Sequence, residues 1–188
     1  MADKNVPHGP EFFDQMRECR AAYVRLGDAF GEVLRGMQSV LDIGCGIGVQ
    51  TARLCELGIR ATGVDVFDPK PEPGFPFFQL DVLEDPYPTP FDAVICTETA
   101  EHIYTSRSDR LVEVVTSLAL YRVIWSAAPP GTVWEGHVNC QPAEFWLEKF
   151  KTRGFTVNDE ATKSLRLHMQ ANLAQHYNAC DQFYVIDR

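Results

Sequence analysis

Near the start of the chain, apolar residues recur at alternating spacings of four and three from Phe12 to Met37. This is the period of an amphipathic helix, and Gly36 is a suitable stop signal for it. Gly27 and Gly31 interrupt the repeat, which argues against a coiled coil. We therefore expect the helix to pack on its own domain.

The rest of the chain alternates between short apolar runs and helical patterns. Runs of four to eight apolar residues bounded by turn residues are typical of buried strands, and a period near 3.6 is typical of helices. The pattern predicts strands at 39–44, 59–66, 76–82, 91–96, 121–128, 155–159 and 182–187. It predicts helices at 51–58, 108–120 and 141–154, followed by a part-helical, part-loop stretch at 160–178.

Strands that alternate with helices form a mostly parallel sheet with helices on both faces. The pattern shows no ordinary crossover helix between the last two strands, so we expect the last strand to be antiparallel. The predicted fold class is therefore α/β, a Rossmann-like sheet of seven strands. We expect residues 1–37 to form a helical cover and residues 38–188 to form the one globular unit on which it packs.

Composition and charge limit the classes of function. The 188 residues are 45% apolar and 23% charged, an ordinary balance for a single globular domain. The net charge of −9 repels polyanions and argues against binding of long nucleic acids. The six cysteines form no C-x-x-C pair, so we expect them to be reduced and mostly in the core. Neither a membrane span nor a signal peptide is predicted, and a cytoplasmic location is expected.

A glycine-rich loop is the first candidate binding feature. The sequence VLDIGCGIGVQT places glycines at 44, 46 and 48 between a predicted strand and a predicted helix. Such a loop lets a ligand approach the backbone and directs helix N–H groups towards it. The spacing is G-x-G-x-G and not the dinucleotide pattern G-x-G-x-x-G. Asp42 stands at the entrance of the loop, where a carboxylate would repel a pyrophosphate and attract an amine or a sulfonium.

Acidic residues also end the next two predicted strands. Asp65 ends the second strand, where a carboxylate can accept hydrogen bonds from both hydroxyls of a ribose. Asp81 ends the third strand, where it can accept from the exocyclic amine of adenine, and the N–H of Val82 can reach a ring nitrogen. The carboxyl ends of parallel strands meet at one edge of a sheet, so we expect these groups to face one crevice.

These motifs resemble, in the same order, those of the class I S-adenosylmethionine-dependent methyltransferases. The matching segments are V-L-D-x-G-C-G-x-G, G-V-D, L-D-V and F-D-A-V-I-C-T-E, within residues 39–155. The chain departs from the family where SLALYRVIW replaces the usual Leu-Lys-Pro-Gly-Gly turn before the fifth strand. The alternative is a Rossmann-type domain that binds another ligand. The resemblance implies that S-adenosylmethionine is the cofactor and that it contacts Asp42, Gly44, Cys45, Gly46, Gly48, Asp65, Val66, Asp81, Val82 and Thr97.

The sequence CTETAEHIY follows the fourth predicted strand, which in this family ends at the reacting centre. If this segment is helical, Glu98, Glu101 and His102 lie at positions i, i+3 and i+4 and share one face. His137 lies in the loop after the fifth strand and could meet them in one cavity. Glu98, His102 and His137 are therefore the candidate catalytic residues, with an imidazole as the proton acceptor.

The E-x-x-E-H pattern followed by a distant histidine also resembles the small-RNA 3′-terminal 2′-O-methyltransferases. That resemblance implies a divalent metal site for Mn, Mg, Fe, Co or Zn, held by Glu98, Glu101, His102 and His137. Such a mixed oxygen and nitrogen set suits Mn²⁺, Fe²⁺, Co²⁺ or Zn²⁺ better than Mg²⁺. The negative charge and the lack of an aromatic and basic platform argue against RNA as the substrate. The other interpretation is that the cluster shapes the pocket or performs acid–base chemistry.

We therefore predict transfer of a methyl group from S-adenosylmethionine to an oxygen or nitrogen atom of a small or medium-sized acceptor. One alternative is metal-dependent 2′-O-methylation of a nucleic-acid end, and another is a non-catalytic partner subunit that binds the cofactor. Neither the acceptor nor the oligomeric state follows from the sequence. The candidate covers of the acceptor are the first helix with Phe12, Phe13 and Tyr23, the loop 128–137 with Trp134, and the segment 160–178 with His168, His176 and Tyr177.

Overall fold

The computed structural model describes residues 10–85, 87–173 and 180–188. Its helices are α1 (Pro10–Glu18), α2 (Arg20–Val33), α3 (Val49–Glu56), α4 (Ser108–Leu118), α5 (Ala143–Lys151) and α6 (Asp159–Leu173). Its strands are β1 (Ser39–Ile43), β2 (Arg60–Asp65), β3 (Phe77–Gln79), β4 (Phe91–Cys96), β5 (Ala119–Trp125), β6 (Thr156–Val157) and β7 (Tyr184–Asp187). Short 3₁₀ turns span Ala100–His102, Thr105–Arg107 and Cys180–Gln182.

The described strands form one sheet in the order β3-β2-β1-β4-β5-β7-β6. The pairs from β3 to β5 are parallel, whereas β7 runs antiparallel to both β5 and β6. This arrangement confirms the predicted seven-stranded Rossmann-like sheet with an antiparallel last strand. The direction of strand order reverses between β1 and β4, and open α/β sheets bind ligands at such a reversal.

Alternate residues of the central strands pack against helices on opposite faces of the sheet. Val40 of β1 lies in a buried cluster with residues of α2, α3 and α6. Its neighbour Leu41 lies in the other cluster, with residues of α4 and α5. Both faces of the sheet are thus covered, which explains why the strands read as continuous apolar runs.

The predicted first helix is divided in two. The chain leaves helical geometry at Cys19, so α1 and α2 are separate helices. α2 packs in the sheet-covering cluster, whereas Phe13 of α1 lies in a different cluster with Ile47 and Val49. The boundary at residues 37 and 38 between cover and globular unit stays a prediction.

Two further predictions need correction. The segment between β6 and β7 contains the helix α6, so the expected lack of a crossover helix there is wrong, although the antiparallel last strand is right. Residues 174–178 of that segment lie outside the described residues. The third strand ends at Gln79 and does not reach Asp81, since the Asp81 carboxylate accepts a hydrogen bond from Leu83 N at 3.0 Å and closes a turn.

Two other sequence-based expectations concern the cysteines and the membrane. The described cysteines form no disulfide, and Cys45, Cys96 and Cys180 are buried while the other three are partly or fully exposed. The prediction that the cysteines lie mostly in the core therefore holds for three of the six. None of the described helices is both long and apolar enough to span a bilayer.

The close approach at Gly48 gives a stability prediction. Gly48 has φ +72, and a Cβ there would lie 2.1 Å from the Phe75 ring. Gly58 has φ +88 but open space around its Cβ position. We expect Gly48→Ala to lower the free energy of unfolding by about 2–5 kcal/mol, because backbone strain and a steric clash add. Gly58→Ala is expected to cost only about 1–2 kcal/mol, from strain alone. Urea unfolding of both variants checks this, and equal costs would contradict the role of the Phe75 contact.

Candidate active site

The glycine-rich loop connects β1 to α3 and packs closely on its neighbours. Gly44 and Gly46 have φ values of +72 and +54, which favour glycine. A Cβ on Gly44 would lie 2.4 Å from Thr99 Oγ1, and a Cβ on Gly46 would lie 2.7 Å from Met16 Cε. The backbone N–H groups of Gly44 and Cys45 both donate to the carbonyl of Val64, at 2.9 and 3.1 Å. These contacts fix the loop against the end of β2.

Asp65 lies at the end of β2, beside this loop. One carboxylate oxygen accepts from Gly46 N at 2.9 Å, and the other accepts from Phe67 N at 3.0 Å. Burial raises the pKa of Asp65, and hydrogen bonds from backbone amides offset part of that rise. Each carboxylate oxygen has a second lone pair that can accept a hydrogen bond from a ligand hydroxyl.

A partly open pocket of about 800 Å³, a volume that includes space open to solvent, lies next to Asp65. It is lined by residues from the glycine loop and the ends of β2 and β4, and by apolar side chains of α1 and α2. Its lining residues are Phe12, Phe13, Met16, Tyr23, Leu26, Gly44, Gly46, Gln50, Asp65, Val66, Phe67, Thr97, Glu98, Thr99, His102 and Ile103.

The pocket contains five of the ten residues that the resemblance assigned to the cofactor: Gly44, Gly46, Asp65, Val66 and Thr97. Cys45 and Gly48 do not line it, and a Cβ on Gly48 would meet Phe75. The sequence did not indicate Met16, Gln50 or Phe67. Met16 had one available signal, because it lies on the apolar face of the first helix.

Asp42, Asp81 and Val82 also lie outside the lining of this pocket. Asp42 is buried, and Thr51 Oγ1 donates to its carboxylate at 2.5 Å. Burial raises the pKa of Asp42 to about 7. Asp81 and Val82 lie in the turn after β3, where Arg107 Nη1 is 3.8 Å from an Asp81 carboxylate oxygen. Contacts of these three residues with a cofactor stay predictions.

Glu98 lines the pocket in an unusual backbone conformation. Its φ is +50, so it is not in a helix, and the expected helical face shared by Glu98, Glu101 and His102 is not formed. Ser126 Oγ donates to Glu98 Oε1 at 2.7 Å and accepts from Glu98 N at 3.1 Å. Burial raises the pKa of Glu98. A left-handed conformation at a non-glycine residue is costly and is concentrated at functional sites.

Glu101 lies in the 3₁₀ turn after β4 and is fully buried. Its backbone carbonyl accepts from Val138 N at 2.8 Å and Asn139 N at 3.1 Å, which ties this turn to the loop after β5. Burial raises the pKa of its carboxyl strongly, and the charge of Glu98 raises it further. The backbone amides of Glu101 and Ala128 lower that pKa by a smaller amount, without hydrogen bonds of good geometry.

The contact between this 3₁₀ turn and the loop after β5 also brings two histidines together. The ring centroids of His102 and His137 are 4.8 Å apart in an edge-to-face arrangement. His102 Nδ1 lies 3.1 Å from the carbonyl oxygen of Gly136. One ligand atom from each of Glu101, His102 and His137 lies within 4.8 Å of the others. Among the described residues, Glu98 is not part of this group, so three of the four suggested metal ligands come together.

Of the other residues suggested to cover the acceptor, some line the pocket and others do not. Phe12, Phe13 and Tyr23 line the pocket as expected. Trp134 is 57% exposed and does not line it. His168 lies exposed on α6, and His176 and Tyr177 fall outside the described residues.

The sheet order, the glycine loop and the acid at the end of β2 are those of a Rossmann-like α/β fold. The family model described as "Methyltransferase domain" matches residues 12–108, just over half of the chain. The chain therefore belongs to this methyltransferase family, which confirms the resemblance to class I S-adenosylmethionine-dependent methyltransferases. None of the curated protein sequences matches it.

Solved structures show the same fold at low sequence identity. A sugar N-methyltransferase from Streptoalloteichus sp ATCC 53650 is similar with a TM-score of 0.70 and 17% identity, over 100% of this chain and 96% of that chain. The magnesium protoporphyrin IX methyltransferase from Synechocystis PCC 6803 with bound SAH is similar with a TM-score of 0.60 and 19% identity, over 83% of this chain and 81% of that chain. An O-methyltransferase of a Brevibacillus brevis trans-AT PKS multienzyme, in complex with S-adenosyl-L-homocysteine, is similar with a TM-score of 0.59 and 16% identity, over 95% of this chain and 74% of that chain.

Proposed function

We propose that this protein transfers a methyl group from S-adenosylmethionine to an oxygen or nitrogen atom of a small or medium-sized acceptor. The observation that carries the proposal is the pocket in which the glycine loop and the Asp65 carboxylate face apolar side chains of α1. Family membership and the titles of similar structures, two of which hold the demethylated cofactor, support it.

The residues of the pocket suit an adenosyl sulfonium. Asp65 offers a half-buried carboxylate to the ribose hydroxyls, and the backbone of Gly44 and Gly46 can approach the ligand closely. Phe12 and Met16 supply an apolar cover that excludes water. When bound, S-adenosylmethionine supplies an electrophilic methyl group whose leaving group is already activated. The protein then mainly has to align the acceptor for in-line displacement.

The acceptor is expected to lie near Glu98, which is held by Ser126 at the pocket wall. Glu98 can accept a proton from a hydroxyl or amine of the acceptor as the new bond forms. His102 also lines the pocket, whereas His137 does not and contacts His102. Glu98 and His102 are therefore the best placed of the three candidate catalytic residues.

The charge of the pocket argues against a nucleic-acid acceptor. The described residues that line it include Asp65 and Glu98 but no lysine or arginine. Among the described lining residues, a phosphate group would meet two carboxylates and no lysine or arginine, which is unfavourable at close range. This supports a neutral or amine-bearing small molecule over a 2′-O-methylation of an RNA end.

A direct assay tests the proposal. The purified chain is incubated with S-adenosylmethionine labelled in its methyl group and with a panel of neutral and amine-bearing aromatic or sugar-like acceptors. We expect label in an extractable small product and stoichiometric release of S-adenosylhomocysteine. Cofactor binding without product from any acceptor would favour the non-catalytic partner subunit, and transfer only to RNA ends would favour the nucleic-acid alternative.

A further inference from the structure

We infer that Glu101, His102 and His137 form a binding site for a divalent transition-metal ion at the rim of the acceptor pocket. Binding of the ion is independent of the cofactor, whereas its use in methyl transfer rests on the proposed function. The inference depends on the contacts of these three side chains.

The first argument is the state of Glu101. The residue is 0% exposed, and neither carboxylate oxygen forms a hydrogen bond of good geometry within the described part of the chain. No described lysine or arginine forms an ion pair with it. An unpaired buried carboxylate is costly, and buried charges in proteins are normally paired or bound to metals. A cation next to Glu101 would remove this cost.

The second argument is the arrangement of the two imidazoles. His102 Nδ1 lies 3.1 Å from the Gly136 carbonyl oxygen, and such a hydrogen bond places the proton on Nδ1 and the lone pair on Nε2. His137 Nδ1 lies 3.6 Å from Cys140 Sγ, so its second nitrogen is the one directed away from the thiol. A backbone carbonyl on the other ring nitrogen is the usual support of a metal-binding histidine.

The third argument is distance. The three ligand atoms lie within 4.8 Å of one another. In a tetrahedral site, bonds of about 2.1 Å to an ion place two ligand atoms roughly 3.4 Å apart. The widest pair would therefore close by up to about 1.4 Å on binding, which rotation of the histidine side chains can supply.

The donor set indicates the kind of ion. One carboxylate and two imidazoles suit Zn²⁺, Mn²⁺ or Fe²⁺ better than Mg²⁺, and three protein ligands leave positions open for an outside ligand. His102 lines the acceptor pocket, so an open position there could bind a donor atom of the acceptor. Glu98 is held by Ser126 and is not needed as a ligand.

Metal titration of the full-length, chelator-treated protein tests the site. We expect calorimetry with ZnCl₂ and with MnCl₂ to show one saturable site for each chain, MgCl₂ to give no saturable heat, and Zn²⁺ to raise the melting temperature. Glu101→Gln keeps the shape of the side chain and should lower Zn²⁺ affinity by more than about 100-fold, beyond the range typical of supporting residues.

Glu135→Gln is the matched control, since Glu135 is exposed on the loop that carries His137. It should bind Zn²⁺ like the unmodified protein. The inference is overturned if the unmodified protein shows no saturable Zn²⁺ or Mn²⁺ site, or if Glu101→Gln binds as tightly. If Glu101→Gln does not fold, the half-buried His137→Asn gives the same comparison. Titration of each sample with S-adenosylhomocysteine tests the proposed function separately.

Discussion

Replacing Asp65 with alanine is expected to lower the affinity for S-adenosylhomocysteine by roughly 30- to 1,000-fold, or about 2–4 kcal/mol. The carboxylate lies in the pocket and already accepts from Gly46 N and Phe67 N. Under the proposed function its remaining lone pairs accept from the ribose hydroxyls, and hydrogen bonds to a charged group are the stronger kind. Calorimetric titration of both proteins measures the loss.

Asp85→Ala is the control, because Asp85 is exposed in the turn after β3 and does not line the pocket. Asp65→Asn separates charge from shape, since an amide still accepts one hydrogen bond, and we expect an intermediate affinity. Circular dichroism establishes that each variant is folded. Unchanged affinity in folded Asp65→Ala would exclude this carboxylate from the cofactor site.

Replacing Glu98 with glutamine is expected to lower kcat by about 100- to 10,000-fold, the range typical of general-base removal. Glutamine keeps the side-chain length and can still accept from Ser126 Oγ. It cannot take a proton from the acceptor. Affinity for the cofactor should stay within a few-fold, because Asp65 and the glycine loop are untouched. Initial rates at saturating acceptor, together with a cofactor titration, provide both readouts.

Glu113→Gln is the matched control for that change, since Glu113 is exposed on α4 and pairs only with its neighbour Arg110 among the described residues. Its kcat should equal that of the unmodified protein. An equal kcat for Glu98→Gln would contradict a chemical role for Glu98. A loss confined to cofactor affinity would move Glu98 into the cofactor site.

The parts of the fold and site that follow local rules could be predicted from the sequence. The strand and helix periods gave the seven-stranded sheet with its antiparallel last strand. The glycine loop was recognisable because a strand, three closely spaced glycines and a helix occur in order. Asp65 was recognisable because it ends a strand at the same edge as that loop, and the structure places both at one pocket.

Features that depend on tertiary contacts could not be predicted. The left-handed backbone of Glu98 depends on two hydrogen bonds with Ser126 from the next strand end. The backbone carbonyl of Glu101 accepts from Val138 and Asn139, which come from a loop distant in sequence. Met16 lies in α1, before the break at Cys19, and its side chain approaches Gly46. Residues far apart in sequence supply each of these contacts, so no short pattern reports them.

A crystal structure of the protein in complex with S-adenosylhomocysteine tests most directly the central claim that the pocket beside Asp65 binds the cofactor. We expect the ligand between the glycine loop and α1, with its ribose hydroxyls at hydrogen-bonding distance from Asp65 and its sulfur directed towards Glu98. The account would be contradicted if the crystals held the ligand elsewhere, or if the protein did not bind the ligand supplied in large excess.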